Sequence, residues 1–310
     1  MKTLPLLSVS LVLGFAVSGC SSGGSTSGAN LEPPSQGSTA RRASDANGTL
    51  GWIALAKEKS LLYVSDEGDE RIDIFSVPKY HLVGQITQGI NMPEGIAIDM
   101  DGTLYVSNFG AGTVTVYKQG QITPSLTLTE PDGPDDVAVA KNGDVLVGDS
   151  YGGVDVYPPG ATYPRARLLN PAISWVGGVG VDASNNVYAA GVPGVVIKFA
   201  KMKGSGTNLA LTGLGEPTGV LVDKHGDLVV SDNDTNLIDI YPPGQTSPSS
   251  TTSVDEPERI ALNNEQNQIY APQGNDAIVS VFPYPSGSRI TWIEIGKNTT
   301  GVAFYSAPQH

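Results

Sequence analysis

Histidine, cysteine and basic residues are scarce in this chain, and each shortage closes off a class of chemistry. His81, His225 and His310 are the only histidines and Cys20 the only cysteine among 310 residues. A Ser-His-Asp arrangement or a zinc site therefore lacks parts. Charged residues make up 16% of the chain, and 18 Lys and Arg stand against 31 Asp and Glu, a formal charge of −13. Nucleic acid is excluded as an expected partner, because phosphate binding needs clustered cations. Nothing after residue 20 is apolar for long enough to cross a membrane, and helical periodicity is missing beyond the N-terminus. No Gly-rich phosphate loop occurs either, since Gly23-Gly24 and Gly204-Ser205-Gly206 lack a strand-to-helix context.

What the chain has in abundance is repetition. Extended runs end in an aromatic residue at Phe75, Tyr117, Tyr157, Phe199, Tyr241 and Phe282, with gaps of 42, 40, 42, 42 and 41 residues. A second ladder, Tyr63, Tyr105, Leu146, Tyr188, Val229 and Ile269 or Tyr270, runs in step with it about ten residues upstream. A third comprises the runs at Ile53–Leu55, Ile96–Ile98, Val137–Val139, Val179–Val181, Val220–Val222 and Ile260–Leu262. Within Thr113–Tyr117 and Leu237–Tyr241 apolar and polar residues alternate, as in a strand with two unlike faces. Asp101-Gly102, Asn142-Gly143, Asn185-Asn186 and His225-Gly226 are tight-turn candidates between first and second strands. With 38 Gly and 22 Pro as punctuation, a unit of about 40 residues holding several short strands is a propeller blade. The expected fold is all-β, a six-bladed β-propeller of four-stranded antiparallel blades over residues 49–310. Blades start near Trp52, Glu94, Asp135, Gly177, Thr218 and Glu258. The run Gly301–Tyr305 is a surplus first strand, expected to act as the clasp that spares the ring an exposed edge.

The N-terminus is a separate region. Lys2 precedes an apolar stretch from Leu4 to Val17, followed by Val17-Ser18-Gly19-Cys20. This ending resembles a bacterial lipobox, in which the cysteine becomes the first mature residue and carries the lipid. Residues 1–20 are thus expected to be a lipoprotein signal peptide with Cys20 as lipidation site. Residues 21–48, rich in Ser, Gly, Thr, Asn and Pro, are expected to be a flexible tether. Ser21 after the cysteine resembles the Gram-negative sorting pattern for the outer membrane. The resemblance implies a lipid-anchored, extracytoplasmic protein of the bacterial cell envelope, with the membrane as one partner.

The runs Pro93–Asp99, Gly102–Asn108 and Pro217–Asp223 resemble NHL repeats and the six-bladed superfamily of gluconolactonase and senescence-marker proteins. The likeness spans residues 50 to 306. It implies that the loops leading into first strands and those joining second to third strands share one face around the axis. Glu94, Asp135, Glu258, Asn108, Asp149 and Asp232 fall there, with Phe109, Tyr151 and Trp175 as a platform for a sugar or a cationic ligand. In the gluconolactonase pattern Glu94 and Asp135 would hold a divalent cation such as Ca²⁺, and Asp149 or Asp232 would act as base. Gly177 and Thr218 depart from it, standing where an Asn or Asp is wanted. Turn chemistry is the competing role for Asp66, Asn108, Asp149 and Asp232. The streptogramin-lyase type of propeller depends on histidine and is disfavoured. The reading is a ligand-binding or protein-interaction module; its alternative is a metal-dependent lactonase or esterase of gluconolactonase type.

Overall fold

Short alternating runs separated by Gly, Asp and Asn favour extended backbone with frequent reversals, and the chain folds accordingly. The computed structural model describes residues 60–130 and 132–307. The signal segment with Cys20, the tether and the Ile53–Leu55 run lie outside the described residues. No α-helix occurs among the described residues, whose strands form six four-stranded antiparallel sheets. The first blade contains β1 (Leu61–Asp66), β2 (Arg71–Ser76) and β3 (His81–Ile86). The second has β4 (Pro93–Ile98), β5 (Leu104–Asn108), β6 (Thr113–Tyr117) and β7 (Leu126–Thr129). The third has β8 (Pro134–Val139), β9 (Val145–Asp149), β10 (Gly153–Tyr157) and β11 (Ala166–Leu169). The fourth comprises β12 (Trp175–Val181), β13 (Val187–Val192), β14 (Val195–Phe199) and β15 (Thr207–Asn208). The fifth comprises β16 (Pro217–Val222), β17 (Leu228–Asp232), β18 (Leu237–Tyr241) and β19 (Ser250–Ser253). The sixth is β20 (Ala261–Leu262), β21 (Gln268–Gln273), β22 (Ile278–Pro283) and β23 (Thr291–Glu294).

One strand remains, β24 (Thr299–Tyr305), and it pairs antiparallel with β1 at the innermost place of the first blade. The surplus strand is therefore the clasp. Three N-terminal strands and one C-terminal strand share a sheet, so the ring closes through backbone hydrogen bonds between segments more than 230 residues apart, as Leu61 opposite Tyr305 shows.

The core lies between blades. Each periodic aromatic packs on the preceding sheet: Tyr117 on Leu61, Ile72 and Ile74; Tyr157 on Val114 and Leu128; Phe199 on Leu146 and Val154. Tyr241 packs with Val196, Phe282 with Ile238 and Ile240, and Phe75 closes the circle on Val279 and Val281 of the sixth blade. The tyrosines need partners for their hydroxyls when buried. Tyr117 Oη donates to the Gln88 carbonyl at 2.6 Å, Tyr157 Oη to Thr129 at 2.6 Å and Tyr241 Oη to Thr212 at 2.8 Å. Gln88 and Thr212 lie in the stretch that crosses from the preceding blade and Thr129 ends that blade's last strand, so one side chain joins two blades by burial and by a hydrogen bond.

The turns on the far face follow the same repeat. Asp99 Oδ1 accepts from the N–H groups of Asp101 and Thr103, Asp182 Oδ1 from Ser184 and Asn186, and Asp223 Oδ1 from His225 and Asp227. Gly102, Gly143, Asn185 and Gly226 take the positive φ that these reversals require.

Truncating Tyr117 tests this interface. Tyr117→Ala is expected to cost about 3–5 kcal/mol through lost burial, and Tyr117→Phe about 0.5–1.5 kcal/mol through the lost hydrogen bond. Urea denaturation separates the two; equal losses would contradict a packing role.

Candidate functional site

Backbone bonds define one face of the ring. The N–H of Phe109 donates to the Met92 carbonyl at 3.1 Å, Ser150 to Gly133 at 3.1 Å, Asn233 to Glu216 at 3.0 Å, and Glu258 to Pro272 at 2.9 Å. In the first three a second-to-third turn, and in the last the end of the second strand, is tied to the segment leading into a first strand. The loops expected on one pole are on one pole.

At its centre the inner strands crowd. The residue after each strand-leading position is Gly95, Gly178, Gly219 or Gly301 in four blades, and a Cβ there would lie 2.0 to 3.1 Å from a neighbouring strand's atoms. The third and sixth blades break the pattern with Asp136 and Arg259. Arg259, which the sequence reading passed over, fills the axis and is 6% exposed. Its Nη1 lies 2.7 Å from Glu94 Oε2 and 3.3 Å from Glu258 Oε2, and its Nη2 lies 3.6 Å from Asp135 Oδ1. Its Nε donates to the Gly177 carbonyl at 3.1 Å, and Nη1 also reaches the Thr300 carbonyl at 3.4 Å. Between Glu94 and Asp135, the pair expected to face a divalent cation, stands the guanidinium of the protein itself.

The other candidates divide into those beneath the face and those on it. Asn108, Asp149 and Asp232 are fully buried and hold backbone. Asn108 Oδ1 accepts from Asn91 N–H at 3.0 Å. Asp149 Oδ1 accepts from Tyr151 at 2.7 Å and Gly153 at 3.2 Å. Asp232 accepts from Gly215, Glu216 and Thr235. Asp66 does the same for Asp69 N–H at 3.1 Å. These carboxylates and amides sit under the loops that they cap. Trp175 is half-buried and donates its Nε1 to Asp135 Oδ2 at 2.9 Å, an oxygen that also accepts from Ser150 Oγ at 2.8 Å. Phe109, in a 3-10 turn after β5, and Tyr151 are exposed by 38% and 73%. Glu258 Oε1 accepts from Asn233 Nδ2 at 3.2 Å, and Thr218 Oγ1 donates to the Pro257 carbonyl at 2.7 Å.

Burial and charge oppose each other around Arg259. Burial pulls against the guanidinium's charge, but Glu94, Glu258, Asp135 and Asp136 outweigh it and hold the pKa above its ordinary value. One cation does not compensate four carboxyls. Burial pushes Glu94 up to about 8 against the pull of Arg259. It likewise pushes Asp136 up to about 7, although Asp136 Oδ2 accepts from Val179 N–H at 2.8 Å. Asp135 and Glu258 are also raised by burial. On the side of Arg259 away from the pole lies a cavity of about 220 Å³ walled by Ile96, Val137, Val179, Val220 and Val302. A second acidic group, in which oxygens of Glu130, Asp132 and Asp149 lie within 4.8 Å of one another, also has an internal cation. Arg167 Nη1 stands 3.2 Å from Asp132, 2.9 Å from Asp149 and 2.7 Å from Asp155.

A ring of six sheets with an ionic plug on its axis defines a β-propeller module. No family model matches the chain, and no curated protein matches it. Many solved chains do. One belongs to the crystal structure of a nidogen/laminin complex, at 15% identity and a TM-score of 0.68, covering 79% of this chain and 98% of that one. At that identity the likeness attests the fold alone.

Two outcomes test the plug. Arg259→Met leaves several carboxyls without their cation and is expected to lower stability by about 3–5 kcal/mol at pH 8, with part of the loss recovered at pH 5; a loss independent of pH would contradict the arrangement. Glu94 and Asp136 keep their protons in the folded chain at pH values where the unfolded chain has released them, so stability falls as pH rises from about 4.5 to about 8. The double variant Glu94→Gln, Asp136→Asn should flatten that fall in a series of denaturation midpoints. An unchanged slope would show that other groups cause it.

Proposed function

We propose that the chain is a lipid-anchored, extracytoplasmic interaction module whose binding face is the Arg259 pole. One observation carries this: the pole is closed as a reaction centre yet open as a surface. Arg259 takes the central position and engages Glu94, Glu258 and Asp135, while Tyr151 and Phe109 remain exposed beside it. The metal-dependent hydrolase reading needs an open coordination position next to Glu94 and Asp135, and the guanidinium stands there. The base that reading assigns, Asp149 or Asp232, is fully buried and holds backbone N–H groups. A rigid propeller that gathers loops from six blades onto one surface suits recognition. The similar chain in the nidogen/laminin complex comes from a protein–protein assembly, in keeping with such a role.

The anchor rests on Val17-Ser18-Gly19-Cys20 and the polar stretch behind it.

Palmitate labelling is expected in the wild type and lost in Cys20→Ala; equal label in both contradicts the anchor. For the face, p-benzoylphenylalanine placed at Tyr151 should give cross-linked adducts in intact cells that the same residue at Lys141, exposed on the opposite face, does not. Adducts at both positions alike would remove the pole as the binding face.

A further inference from the structure

Exposed apolar side chains stand at the pole in two neighbouring blades. Met92 and Phe109 are each 38% exposed and Tyr151 is 73% exposed. A Cβ at Gly110 would meet Met92 Sδ at 3.0 Å, and one at Gly133 would meet the Phe109 ring and Ser150 Oγ, each at 3.1 Å, so the Met92 and Phe109 segments of the second blade lie close together and Phe109 reaches the third blade next to the residue that precedes Tyr151. Acids flank both ends. Exposed Glu70 accepts from Asn91 Nδ2 at 3.1 Å beside Met92, and the Asp132 side chain, 45% exposed, adjoins Gly133 and shares Arg167 Nη1, at 3.2 Å, with Asp149 and Asp155.

The two faces also differ in charge balance. Among the described residues, the connections on the pole carry Glu67, Glu70, Glu216, Asp234, Asp255 and Glu256, with Lys297 and Arg259 as the cations. Both cations are engaged, Lys297 with Asp69 at 2.7 Å and Arg259 in the plug. The opposite face carries Lys79, Lys118, Lys141, Lys201, Lys203 and Lys224, but also Asp99, Asp101, Asp144, Asp182, Asp223, Asp227 and Glu265, so charges of both signs are mixed there while the pole is mostly acidic. General solubility would not require one face to hold acids with so few cations among them, whereas a cationic partner would be drawn to that side and oriented by it.

We propose that the Met92–Phe109–Tyr151 patch docks a lysine- or arginine-bearing polypeptide segment. Its cationic side chains lie over the aromatic faces between Glu70 and Asp132, and its aliphatic stems cover the patch. This rests on the reading of the pole as a binding face and adds the chemistry of its partner. Trp175 takes no part, since its ring nitrogen is bonded to Asp135 at 2.9 Å.

The test is fluorescence anisotropy with the full chain in non-ionic detergent and a labelled twelve-residue peptide of alternating Lys and Gly, with the Glu/Gly peptide as control. The lysine peptide should bind and the glutamate peptide should not, with affinity falling steeply as salt is raised. The variant Glu70→Gln, Asp132→Asn should weaken binding by about tenfold and Tyr151→Ala by about threefold, while Lys141→Gln leaves it unchanged. No binding of the lysine peptide at 1 mM, or equal binding by the charge variant, would overturn the proposal. Self-association without peptide that is abolished by Lys141→Gln with Lys224→Gln would also overturn it, assigning the face to a second copy. If cross-linking at position 151 still captures a partner while the lysine peptide fails, the partner's chemistry is wrong and the binding face stands.

Discussion

A buried guanidinium holds the centre of this ring. Arg259 comes from the sixth blade and touches Glu94 of the second, Asp135 of the third, the Gly177 carbonyl of the fourth and the Thr300 carbonyl of the closing strand. Through it, blades that are not neighbours in the ring are joined across the axis. Arginine suits the task because its planar fork offers five donors in fixed directions and keeps its charge where a lysine could lose it. The arrangement also sets the chemistry of the pole: carboxylates that would attract an external cation already face an internal one.

Around that centre the fold depends on a repeated device. An aromatic at the end of each third strand packs on the preceding sheet, and in three blades a tyrosine hydroxyl also bonds the end of that sheet or the segment crossing from it. The last junction uses Phe75 on the sixth blade and β24 against β1. No sheet therefore has to bury its faces alone, which is the physical reason such units occur in a closed ring.

Much of this was legible in the sequence because local pairing imposes a period. The aromatics of the first ladder, the turn pairs such as Asp101-Gly102 and the surplus run ending at Tyr305 repeat with the blade, and they mark strands, reversals and closure. Arg259 was hidden for the opposite reason. It is a single departure from a glycine position, meaningful only once the inner strands are seen to crowd at the axis, although Glu258-Arg259 set beside Glu94-Gly95 and Thr218-Gly219 carries the signal. Asn108, Asp149 and Asp232 were legible as polar residues after second strands, but not as fully buried ones, because burial there depends on loops about 16 residues away that fold over them. Phe109, Tyr151 and Trp175 look alike in sequence. Only packing separates the two exposed rings from the one bonded to Asp135.

The central claim is that Arg259 and the converging carboxyls form one cooperative unit that closes the axis. A double-mutant cycle between Arg259→Met and Asp135→Asn, read by urea denaturation at pH 8, tests it directly. The account predicts a coupling of about 1–3 kcal/mol between residues 124 positions apart in the chain, the range for side chains sharing one ionic network. Additive losses, within about 0.5 kcal/mol, would contradict it.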